Sequence, residues 1–101
     1  NNSNTFFEKK EKWLKNKIFK KNLFSNLSEI MNFSDEIYNK GYSGMDILNV
    51  INHSNIEKKY DYIFYFEKIR REFRNEKILI FIYCYFLFMR KNINLENLLT
   101  M

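Results

Sequence analysis

The stretch Ile37–Val50, IYNKGYSGMDILNV, decides the fold, because it holds both glycines of a 101-residue chain that contains no proline. Gly41 accepts the left-handed backbone that closes many helices, and Lys40 places a cation in the last turn, where the helix dipole favours one. Ser43 can accept a backbone N–H at the start of a following helix, and Asp46, three residues on, puts an acidic side chain in that helix's first turn. The stretch therefore reads as helix, corner, helix.

Upstream of this corner, a helix over about Asn26–Lys40 places Leu27, Ile30, Met31, Phe33, Ile37 and Tyr38 on a broad apolar face. A bend or stop is expected around Asn22–Ser25. Before it, a loosely amphipathic helix over about Thr5–Asn22 carries Phe6, Phe7, Trp13, Leu14, Ile18 and Phe19 among seven lysines. Downstream, the helix opened by Ser43 runs to about Asn52, and His53, Ser54 and Asn55 form a polar connector. Tyr60, Ile63, Phe64, Phe66, Ile69 and Phe73 then mark a fourth helix with one charged edge, ending near Arg74 or Asn75. From Glu76 to Lys91 the run ILIFIYCYFLFM is apolar on every side, which implies a helix covered all round. Its β-branched and aromatic residues leave a strand as the alternative there. Asn92 and Asn94 turn the chain into a short final helix with Leu95, Leu98 and Leu99. The fold class expected is all-α, a bundle of five to six helices in one domain spanning residues 1–101, with a basic N-terminal helix over 1–22.

Composition bounds the function. At 46% apolar and 19% aromatic the chain has too much to bury to remain disordered. At 12.6 kDa it supports one modest core. The excess of Lys, Asn, Ile, Phe and Tyr fits an AT-rich coding genome. Cys84 is the only cysteine and sits in the apolar run, so no internal disulfide forms; a buried small hydrophobe in a reducing compartment is expected. Asn1–Lys17 lacks the apolar stretch of a secretory signal. Ile78–Met89 rises only about 18 Å as a helix against a hydrocarbon core of about 30 Å, so no membrane partner is expected.

Reactive constellations are sparse. Two glycines cannot build a GxxxxGK[ST] phosphate loop, and one histidine with one cysteine falls short of the usual zinc sets. Cys84 has neither a base nor a cation among its neighbours, and His53 is placed to interact with the C-terminal carbonyls of the third helix. Asp35, Glu36, Asp61, Glu67 and Glu72 fall near Lys or Arg on faces expected to be solvated. No catalytic, cofactor or metal site is assigned. Two binding surfaces are candidates: Lys9, Lys12, Lys17 and Lys20 on the first helix for phosphate backbones, within a net charge of +5, and Tyr83, Tyr85, Phe86 and Phe88, divided between core and subunit interface.

Gly41, Tyr42, Ser43, Asp46 and Ile47, with Leu48, are similar in order and spacing to a motif in the C-terminal collar domain of replication factor C small subunits, the sliding-clamp loaders of DNA replication. The closing stretch RKNINLENLL also resembles that family's final turn, with Asn92 where the family carries glycine. The resemblance covers about Leu23–Leu99. It implies a collar domain that holds one AAA+ subunit in a five-membered ring, inside a longer protein whose separate ATPase domain binds ATP and magnesium. It also implies other loader subunits as partners, the sliding clamp and primer–template DNA as partners of the assembly, and a nuclear location in a eukaryote or a cytoplasmic one otherwise. Gly41 would close one helix, Tyr42 would pack at the corner, Ser43 would cap, and Asp46 and Ile47 would start and bury the next. The opening at Asn1 rather than Met is in keeping with a piece of a longer subunit. A basic helical nucleic-acid-binding module and a free-standing helical adaptor are the alternatives.

Overall fold

The structure is a computed structural model that describes residues 2–20 and 26–88, with side chains from Glu8 to Phe19 in the first of these stretches. Five α-helices follow in order: α1 Asn2–Lys20, α2 Leu27–Asn39, α3 Gly44–Asn52, α4 Lys59–Glu72 and α5 Glu76–Phe88. No strand occurs among the described residues. The expected final helix at Leu95, Leu98 and Leu99 lies outside them. The apolar run is helical from Glu76 to Phe88, which settles the choice left open above for those residues. A lone strand would leave its backbone N–H and C=O groups unpaired among helices, whereas a helix pairs them internally.

Local chemistry sets the helix ends. The Asn26 side chain accepts from the Glu29 N–H at 3.0 Å and caps α2. α2 closes in a Schellman turn: the Gly41 N–H donates to the Tyr38 carbonyl at 2.9 Å and the Tyr42 N–H to the Ile37 carbonyl at 3.3 Å. Gly41, at φ +90°, supplies the left-handed residue this turn needs. α4 begins differently, after Lys58 at φ +62° with no side-chain cap. It ends at Glu72, two or three residues short of the expected end, because Phe73 turns extended at φ −119°, ψ 127°. Asn75 is thereby free to accept from the Ile78 N–H at 3.2 Å and start α5.

α2 and α5 form the most extensive helix pair. α5 starts beside the α2–α3 corner, where Glu76 accepts from the Gly44 N–H at 3.0 Å, and ends with Phe88 set edge-on to Phe33 in mid-α2. It therefore runs back along α2. Around this pair the core takes Ile30, Phe33 and Ile37 from α2, Ile47, Leu48, Val50 and Ile51 from α3, Tyr62, Phe66 and Ile69 from α4, and six residues from Leu79 to Phe88 of α5. α1 adds Leu14 and Ile18 from the side of α3. The apolar face of α2 is narrower than its sequence pattern: Leu27, Met31 and Tyr38 remain 40–52% exposed. Ser34 and Ser54 are buried, and each donates its hydroxyl to a carbonyl three residues earlier, Met31 and Ile51.

Candidate functional site

The helix corner and the basic first helix, far apart in sequence, meet in one place. At the corner, Ser43 Oγ accepts from the Asp46 N–H and the Asp46 carboxylate accepts from the Ser43 N–H at 2.8 Å, a reciprocal capping box that opens α3. Ile47, the next residue, is fully buried. Tyr42 points out of the corner onto α1. Its ring stacks on Trp13 with centroids 5.4 Å apart and planes 11° from parallel, and its hydroxyl donates to the Lys10 carbonyl at 2.6 Å. Burial, and then the negative charge of Asp46, push the Tyr42 phenol above its ordinary pKa. Three lysines lie over this aromatic pair: Lys10 over Tyr42 at 4.9 Å, and Lys40 and Lys17 over Trp13 at 4.6 and 5.5 Å.

A cleft of about 200 Å³ opens between α1 and α3, lined by Lys10, Glu11, Leu14, Tyr42, Asp46, Asn49, Val50 and His53. Its rim is closed by His53 Nδ1 and Glu11 Oε1, 3.1 Å apart. The His53 backbone N–H caps α3 by donating to the Asn49 carbonyl, but its ring turns to Glu11 on α1, not to the helix-end carbonyls as its sequence position had suggested. The carboxylate on a neighbouring helix offers the imidazole a charge-assisted partner. At this site the polar atoms serve caps and helix-to-helix ties: Ser43 with Asp46, Tyr42 with Lys10, His53 with Glu11. The arrangement ties α1 to α3 and leaves a small cleft, with a mainly apolar lining, beside a lysine-rich helix.

The candidate nucleic-acid lysines separate. Lys9 and Lys12 are exposed, as is Lys15. Lys17 instead turns towards α2, 3.8 Å from Glu36 and over the Trp13 ring, because those two partners lie within reach of its side chain. The Lys20 side chain lies outside the described ones. Seven lysines against Glu8 and Glu11 give the first 21 residues the whole net charge of +5, since the remaining ten cations and ten carboxylates cancel.

The four aromatic candidates separate as well. Tyr83 is fully buried, stacks on Phe66 at 4.2 Å and donates its hydroxyl to the Phe66 carbonyl at 2.8 Å. Phe88 is buried against Phe33. Both belong to the core of the chain. Tyr85 and Phe86 keep part of their rings at the surface, edge-on to each other at 5.1 Å. Sequence reasoning missed Gly44 and Glu76. A Cβ at Gly44 would stand 3.1 Å from Tyr83 Cε2, so the closeness of α3 to α5 depends on it. A second glycine placed three residues after the helix stop was its only trace in the sequence. Glu76 had none, since its bond to Gly44 joins residues 32 positions apart.

Among the described residues, no group of three or more His, Cys, Asp or Glu side chains is placed to hold a metal ion, and no helix is long and apolar enough to cross a membrane. Compared with protein-family models, curated proteins and solved structures, the chain matches none.

Proposed function

We propose that this chain is an oligomerisation module, the collar domain of a replication factor C type clamp-loader subunit. In this reading it holds its subunit in a ring while a separate domain of the parent protein binds ATP and magnesium. The observation that carries the reading is the corner itself. Gly41 supplies the Schellman turn, Ser43 and Asp46 cap each other, and Ile47 enters the core, in keeping with the roles the sequence resemblance implies for them, whereas Tyr42, which the resemblance would pack at the corner, turns onto α1. Partly exposed apolar side chains support assembly: Tyr85 and Phe86 on α5, with Leu27, Met31 and Tyr38 on α2. A module of this kind does no chemistry. It gives neighbouring subunits a rigid frame, so that nucleotide binding between their ATPase domains is transmitted to the clamp and to primer–template DNA.

Co-expression of the chain with the collar domains of companion loader subunits, followed by size exclusion with light scattering, tests this. A stoichiometric heteromeric complex is expected, and Tyr85→Ser with Phe86→Ser should weaken it. A chain that stays monomeric and binds none of those domains overturns the reading. A second reading, a nucleic-acid-binding module using α1, is favoured by the concentration of net charge there and by the outward Lys9, Lys12 and Lys15.

A further inference from the structure

The outer face of α4 combines exposed aromatic rings with cations. Tyr60 is 76% exposed and Phe64 53%, and they follow one another by one helical turn on the side opposite the buried Tyr62, Phe66 and Ile69. The same stripe continues through the exposed Lys68 to Arg71. Just beyond the helix end, Phe73 is 43% exposed, and the exposed Arg74 follows. Lys59 Nζ lies over the Tyr60 ring at 5.2 Å and Lys68 Nζ over the Phe64 ring at 4.5 Å. Of the carboxylates of α4, Glu67 is paired with Arg70 at 3.0 Å, while the exposed Asp61 and Glu72 flank the stripe, against the cations Lys59, Lys68, Arg70 and Arg71 of the same helix and Arg74 just beyond it.

Protein interfaces concentrate aromatics in a core depleted of lysine. Here every exposed ring of α4 has a cation beside it, the pattern of a surface that must satisfy flat apolar faces and a row of negative charges together. Single-stranded nucleic acid has both, and unlike a duplex it presents its bases for stacking. We propose that Tyr60, Phe64, Lys68 and Arg71, extended by Phe73 and Arg74, form a binding face for single-stranded nucleic acid. Tyr60 and Phe64, about 6 Å apart along the axis, stack on successive bases. Lys68 leaves the ring of Phe64 for a phosphate, exchanging a solvent-exposed cation–π contact for a charge pair, while Arg71 and Arg74 follow the backbone beyond. The face belongs to α4 and is separate from the lysines of α1, so the inference stands whether or not the assembly reading does.

Fluorescence anisotropy of the whole chain with labelled oligothymidylate, at low and high salt, tests it. Salt-sensitive binding is expected, with about a tenfold loss of affinity in Tyr60→Ala and in Phe64→Leu. Phe64→Leu keeps the apolar bulk, so unchanged helical circular dichroism separates lost stacking from lost fold. Neutralising Lys9, Lys12 and Lys15 together should leave in place both the salt-sensitive binding and the penalty of Phe64→Leu. The proposal is overturned if the chain does not bind at low salt, if both α4 variants bind as the parent does, if duplex of the same length binds equally well, or if the α4 variants lose subunit association instead.

Discussion

Gly41 and Lys58 both hold a left-handed backbone, at φ +90° and +62°, and only one of them is a glycine. A Cβ at Gly41 would meet nothing within 4 Å, so Gly41→Ala should cost about 1–2 kcal/mol through backbone strain alone. Gly41→Asn should cost less, because asparagine tolerates this conformation. Gly44 is the opposite case. Its helical backbone suits alanine, yet the added Cβ would press on the Tyr83 ring, which is pinned by its bond to the Phe66 carbonyl, so the cost of Gly44→Ala is one of overpacking, about 1–3 kcal/mol. Lys58→Gly should relieve strain and stabilise the fold by up to about 1 kcal/mol. Urea unfolding of the four variants checks all of these, and equal losses in Gly41→Ala and Gly41→Asn would remove the strain argument. Gly41 was legible in the sequence because a helix stop is a local event. The role of Gly44 was hidden because its reason, the Tyr83 ring, arrives from another helix.

At the scale of elements, the cap of α3 and the docking of α1 depend on different things. Ser43→Ala removes one half of the capping box and should cost about 1 kcal/mol of global stability. α1 is held at its centre by the Trp13–Tyr42 stack and by Leu14 and Ile18 in the core, with Glu11 and His53 closing the rim. Trp13→Ala should therefore loosen α1 locally. Hydrogen exchange of its amides should quicken by about tenfold, given about 1 kcal/mol or more for an aromatic pair and its packing, while the amides of α2 and α5 keep their rates. Uniform acceleration across all helices would show that α1 opens only with the rest. The corner between α2 and α3 was readable from five residues, because capping, Schellman closure and dipole preference act within one turn. The meeting of Trp13 with Tyr42 was not, because Trp13 read only as one of the apolar residues of the first helix and Tyr42 only as a residue of the corner, until α1 packed beside that corner.

For the whole molecule, the buried titratable groups give stability a pH dependence. Burial pushes the Tyr83 phenol well above its ordinary value, with Glu67 and Glu76 adding to the rise against Arg70; burial alone does the same for the Cys84 thiol, and Tyr42 shifts in the same direction. In each case the folded state holds its proton more tightly than the unfolded chain. Stability is therefore fully present below the unfolded-state values, about 8.5 for cysteine and about 10 for tyrosine, and falls as pH rises past them. Thermal unfolding at stepped pH should show a midpoint that drops above about pH 9–10, and a smaller drop in Tyr42→Phe. A midpoint that is flat to pH 11 would refute this. Taken alone, the sequence determined the helical class, the position of the corner and the absence of a disulfide within these 101 residues, because these follow from backbone chemistry, short-range periodicity and a cysteine count. The tertiary structure decided which apolar residues are core and which are surface. Tyr83 and Phe88 went inside, while Tyr60, Phe64 and Met31 stayed out, because burial depends on which helices cross above a residue, and those neighbours come from distant parts of the chain.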